Sequence, residues 1–146
     1  MAQRKVTQED RRKALQELAL RIDVHLRDRD ELMKLVAGGQ SFETIFGRVN
    51  DHINEISEIT GMLYLYADRL AEEAKRKRKM LPLEAPPNVE STQIRLLTDQ
   101  LLAYHGDDME QMRLAPTYTP EQFSKSEKKS RDSRLTVIKE LRGRLR

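Results

Sequence analysis

Three histidines, His25, His52 and His105, offer this chain its most versatile chemistry, because a neutral imidazole can ligate a transition metal or carry a proton near neutral pH. Their spacing predicts neither use. Each lies in a separate predicted element, with no short metal-binding interval between any two. His52 and Glu55, one helical turn apart, permit a local hydrogen bond or half of a metal site, and the pattern favours a histidine at the edge of a helical core. Asp107 and Asp108 could touch magnesium, but adjacent acids are common at helix starts, where they meet the positive end of the dipole. The chain has no cysteine, hence no thiolate ligand, cysteine nucleophile or disulfide. It also carries no glycine-rich phosphate loop, nucleophile elbow or zinc-peptidase signature. The expectation is a non-enzyme with no catalytic, cofactor or metal residues.

Charge is the other chemistry on offer. A net charge of +3 and a pI near 9.2 conceal blocks of alternating sign. Residues 41–74 hold seven acids and two bases, and the run Lys75, Arg76, Lys77, Arg78 and Lys79 is wholly basic. Residues 83–115 hold six acids and two bases; residues 116–146 reverse this with nine bases and four acids. Lys125, Lys128, Lys129, Arg131 and Arg134 form a second candidate phosphate-binding set, continued by Lys139, Arg142, Arg144 and Arg146. Five consecutive bases fan around a helix, so the first run suits phosphate oxygens rather than base reading. Blocks of this kind steer polyanions, DNA or RNA among them, or pair acidic with basic faces between subunits.

These groups need helices to hold them, and the pattern predicts an all-α chain. The longest repeat, a spine over 42–80, sets Phe42, Ile45, Val49, His52, Ile56, Ile59, Leu63, Tyr66 and Leu70 at steps of three and four. A flanking row of Phe46, Ile53, Thr60, Ala67 and Ala74 makes the stripe wider than a two-stranded seam. At 1.5 Å per residue such a helix reaches roughly 58 Å. Phe42, Ile45, Val49, Ile56, Ile59, Leu63, Tyr66 and Leu70 are therefore the expected self-association residues of a homo-oligomer. Tyr64 leaves the helix in another direction and marks a second packed face or a partner surface.

A first helix is predicted from Gln8, capped by Thr7 with Asp10, and carries Leu15, Leu18, Ile22, Leu26, Leu32 and Val36. Arg29 interrupts that stripe, and its stem could lie on apolar surface with the charge in water. Gly38 and Gly39 stop the helix and Ser41 is available to cap the spine. The result is a long antiparallel hairpin over 8–80, elongated or coiled-coil-like, whose second arm overhangs the first. A proline-containing linker over 81–90 leads to a smaller helical region over 91–146. Within it, Ser91 caps a helix carrying Ile94, Leu97 and Leu101, and Gly106 ends or bends that helix. Asp107 and Asp108 then start a short turn, and Thr119, Pro120 and Gln122 begin the last helix.

With hydrophobic residues at 38%, charged residues at 35% and no Trp, the composition fits amphipathic helices. No apolar run approaches a membrane span and nothing resembles a signal peptide. The expected setting is intracellular, cytoplasmic or within a viral particle. In pattern the chain resembles small charged helical accessory proteins, including viral assembly and recombination accessories, a likeness of style that no motif carries. The leading functional expectation is a non-enzymatic oligomeric assembly or adaptor protein working with a protein partner in a larger complex. The alternative is a nucleic-acid-binding accessory that meets phosphate through its basic helices.

Overall fold

The computed structural model describes residues 6–77 and 89–145 and shows an all-α four-helix bundle. The helix α1 runs Gln8–Ala37, α2 Phe46–Lys77, α3 Val89–Leu114 and α4 Pro120–Arg144, with a 3-10 turn over Ala115–Thr117 before α4. Each helix packs on the next and α4 returns against α1. Arg11 reaches Glu73 at 3.0 Å, Arg21 reaches Glu55 at 3.0 Å and Arg48 reaches Glu31 at 3.1 Å, so α1 and α2 are antiparallel. Arg144 meets Glu90 at 2.7 Å and ties the end of α4 to the start of α3. No helix among the described residues is long and apolar enough to cross a membrane.

Two helix starts follow from their capping chemistry. The Thr7 hydroxyl accepts from the Asp10 amide while the Asp10 carboxylate accepts from the Thr7 amide, satisfying two donors that the first turn leaves over. Thr119 and Gln122 repeat the arrangement ahead of α4, where Pro120 occupies the first helical position and has no N–H to satisfy. Gly39 takes φ 98, a backbone conformation that side chains resist, and so turns the chain out of α1.

Three boundaries depart from the sequence expectation. The helix α2 starts at Phe46 rather than Phe42, because the Ser41 hydroxyl accepts from the Thr44 amide and closes a separate turn over residues 42–45. Ser91 does not cap α3. It lies inside the first turn, buried, with its hydroxyl donating to the Ala67 carbonyl of α2 at 2.7 Å. Gly106 does not end a helix; α3 continues through it to Leu114. A glycine there costs about 1 kcal/mol against alanine. Burial of Asp108, Gln111 and Met112 on the following turns gives that stretch of helix a packed face. The linker positions up to 88, with Pro82, Pro86 and Pro87, lie outside the described residues.

The interior is layered. One apolar cluster joins all four helices through Leu18 and Ile22, Ile56, Ile59 and Leu63, Leu97 and Leu101, and Val137, Ile138 and Leu141. A second, toward the Gly38-Gly39 end, holds Leu32, Met33, Val36, Ile45, Val49, Met112 and Phe123. Along every helix a polar stretch falls between the two: His25 and Arg29 on α1, His52 on α2, His105 and Asp108 on α3, Glu127 and Arg134 on α4. Burying polar groups is costly unless they are partnered, so this layer is where the bundle concentrates its chemistry.

Candidate metal centre in the buried polar layer

The bundle brings together the three histidines that the sequence leaves apart. His25 and His52 are 1% and 3% exposed, and His105 is partly buried. The His25 and His52 rings stack with centroids 4.1 Å apart and planes 5° apart. His105 tilts against both, at 6.0 Å from His25 and 5.4 Å from His52. One ring nitrogen from each histidine can be chosen so that all three lie within 4.8 Å of one another. In a tetrahedral zinc site with Zn–N bonds of 2.0–2.1 Å, ligand nitrogens stand about 3.3 Å apart. Closing on an ion therefore asks the rings to shift by roughly 1 Å. A metal also lies in the plane of the imidazole it binds, so the stacked pair must fan apart.

The electrostatics keep these imidazoles neutral. Burial, reinforced by His52, His105, Arg134 and Arg29, pushes His25 down to about 2. Burial, with His105, Arg134 and Arg29, brings His52 to about 4. His105 is lowered by burial and by Arg134, against the opposing pull of Asp108. A neutral imidazole is the form that ligates a metal. Four ring nitrogens of the trio, His25 Nδ1, both nitrogens of His52 and His105 Nδ1, are buried without a hydrogen-bond partner among the described residues. Each unsatisfied buried polar group costs about 1–3 kcal/mol.

One turn away the layer becomes ionic. Arg29, fully buried, donates from Nε and Nη2 to Asp108 Oδ1 at 3.3 Å each, and from Nη1 to Asp30 Oδ1 at 3.0 Å. It also forms a close ion pair with Glu127. Arg134, 1% exposed, sets Nη2 2.5 Å from Asp108 Oδ2 and donates to the Tyr104 carbonyl at 2.9 Å. Its guanidinium sits over the Tyr104 ring at 5.7 Å. The two arginines respond differently. Burial works against the charge on Arg29, but Asp108 and Glu127 outweigh it and raise the pKa. At Arg134 burial, helped by repulsion from Arg29, prevails over Asp108 and lowers it. Arg131 completes the set by donating to both oxygens of Asp30 at 3.2–3.3 Å. Asp30, Glu127 and Arg131 also line a cleft of about 940 Å³ beside the Gly38-Gly39 turn, floored by Met33, Phe42 and Phe123; none of the three histidines lines it.

The sequence-predicted residues are divided by this architecture. Ile45, Val49, Ile56, Ile59 and Leu63 fill the protomer's own core, Phe42 and Tyr66 pack at its edge, and Leu70 is half-buried. Arg134 faces inward and Arg131 is held by Asp30, whereas Lys125, Lys128 and Lys129 are exposed and enter no ion pair among the described residues. Lys75 and Arg76 are exposed on the last turns of α2, with Lys75 near Glu72 at 3.9 Å. Lys77 closes that helix, and Arg78 and Lys79 lie outside the described residues, as does Arg146. Tyr64 bonds to Asp99 on α3, and burial together with that bond pushes its hydroxyl up to about 12.

Sequence reasoning missed the histidine cluster because it looked for ligands within one helix. The signal was present between helices. Positions 25 and 52 are symmetric about the Gly38-Gly39 turn, so an antiparallel pair sets them at one level; positions 105 and 134 are likewise symmetric about Thr119 and Pro120.

No protein-family model, curated protein or solved structure matches the chain.

Proposed function

We propose that the protein is a metal-binding helical bundle in which His25, His52 and His105 hold one divalent first-row ion. The observation behind this reading is the convergence of three neutral imidazoles, two buried and one half-buried, that leave four ring nitrogens without partners among the described residues. Imidazole ligands suit zinc, copper, nickel and iron, and zinc imposes no electronic preference of its own on a site assembled from three helices. The ion would join the α1–α2 hairpin to α3 from inside the bundle, a fastening role that suits a non-enzymatic module of a larger assembly. Self-association of that module would draw on apolar residues left at its surface, such as Phe46, Leu65 and Leu96. Equilibrium dialysis of the chelator-stripped full chain against Zn²⁺ tests the reading. One retained equivalent, lost in H25F and H52F variants that still fold, is the expected result; no retained metal would leave the cluster as neutral packing and overturn it.

A second reading concerns the surface. Lys125, Lys128, Lys129 and Lys139 on α4 are exposed and make no ion pair among the described residues, which favours contact with nucleic-acid phosphate. Short DNA and RNA duplexes titrated across a salt series should show binding that weakens steeply with salt and falls when these four lysines become Gln. Absence of binding at low salt removes this reading.

A further inference from the structure

We infer that the cleft beside the Gly38-Gly39 turn binds a free acyl-chain carboxylate, with the chain laid on the apolar floor and the acid end held by Lys34 and Arg113. Its volume, about 940 Å³, falls within the range of clefts that bury small ligands. None of the three histidines lines it, so this site stands apart from the candidate metal centre.

The floor is the outer surface of the second core cluster, contributed by Met33, Val36, Met112 and Phe123. Methionine side chains are unbranched and polarizable, so they conform to a flexible chain without demanding one rigid shape. Further apolar lining comes from Phe42, which is half-buried, and from Pro116, Tyr118 and Pro120, which are exposed. Local bonds fix these walls. The Ser41 hydroxyl accepts from the Thr44 amide at 3.2 Å and closes the turn that carries Phe42. The Tyr118 amide donates to the Ala115 carbonyl at 3.1 Å across Pro116, and the capping bonds between Thr119 and Gln122 hold Pro120 at the start of α4. Walls set before a ligand arrives lower the ordering cost of binding it.

Charge decides which end group fits. Three acids, Asp30, Glu43 and Glu127, and three bases, Lys34, Arg113 and Arg131, line the cleft. Asp30 is already shared between Arg29 and Arg131, and Glu127 is engaged by Arg29. Lys34, Arg113 and Glu43 are exposed and enter no ion pair among the described residues. Two uncommitted cations thus face one uncommitted acid, which favours an anionic end group and repels a cationic one.

The test titrates the isotope-labelled full chain, at low salt, with decanoate below its micellar concentration and with decylammonium, an equally long chain of opposite charge. Amide NMR shifts around Lys34, Phe42, Arg113 and Tyr118 should saturate with decanoate, at an affinity about tenfold above that for decylammonium. In a Lys34→Gln/Arg113→Gln double variant, whose two positions are exposed and bear no packing, that preference should disappear. Absence of saturable shifts at the cleft with decanoate would overturn the site. Equal affinity of the wild type for the two amphiphiles, read without any substitution, would overturn the choice of an acid end group. A preference that survives in the double variant would overturn the assignment of that end to Lys34 and Arg113.

Discussion

His25 of α1 and His52 of α2 stack face to face, centroids 4.1 Å apart and planes within 5°, in the interior of a bundle whose flanking layers are apolar. Two imidazoles can lie this close in a dry site only while neither carries a charge. Protonating either would bury a cation against its neighbour and within the field of Arg29 and Arg134.

The metal-free protein should therefore lose stability in mild acid. Both folded-state pKa values, about 2 and about 4, lie below the unfolded value of 6.5, so the unfolded chain takes up protons that the bundle refuses. The stabilising contribution is complete above pH 6.5 and is lost as pH falls from there toward 4 for His52 and toward 2 for His25. Each histidine held neutral contributes a slope of about 1.4 kcal/mol per pH unit. Urea midpoints measured at pH 7.5, 6 and 5 should fall together with pH, and replacing His25 by Phe should flatten the dependence. A midpoint that stays level over this range, in a wild type that remains folded, would mean the rings are reached by water.

Arg29 should be a costly residue to shorten. It is fully buried and faces Asp108 and Glu127; without it Glu127 loses its ion pair to Arg29 and Asp108 keeps only that to Arg134. Breaking a buried pair in this one-sided way costs about 3–5 kcal/mol, so Arg29→Met should lower the unfolding free energy by that order. Replacing Arg29, Asp108 and Arg134 together by apolar residues should recover most of the loss in chemical denaturation. A single-variant cost under about 1 kcal/mol would show that the network does not fasten the helices.

Gly106→Ala should stabilise the protein by about 0.5–1 kcal/mol. The residue is exposed within α3, has no positive φ, and a Cβ there meets nothing within 4 Å. Thermal unfolding should report a small upward shift in Tm. A downward shift would place a break in α3 at this position.

These cases show which parts of the structure were legible in the sequence. The starts of α1 and α4 were readable because Thr7 with Asp10 and Thr119 with Gln122 settle their hydrogen bonding within one turn. The inward face of α2 was readable because Val49, Ile56, Ile59 and Leu63 follow helical spacing. The polar layer was not, because its partners lie far apart in the chain. Arg29 looked like a residue reaching for water, and Asp108 like a helix-start acid 79 residues away; only the packing of α1 across to α3 makes each the other's counter-ion. The histidines are a similar case, one to a helix, and only the turn symmetry about Gly38 and Gly39 hinted that two of them meet.

Whether one ion is held by histidines from three helices is read by titrating the chelator-stripped full chain with Co²⁺ and recording visible absorption. Saturation is expected at one equivalent, with the intense d–d bands of four-coordinate cobalt, and loss of those bands when His25, His52 or His105 is separately replaced by Phe in a protein that still unfolds cooperatively. The weak spectrum of aqueous six-coordinate cobalt throughout the titration, or four-coordinate bands that survive all three substitutions, would contradict it.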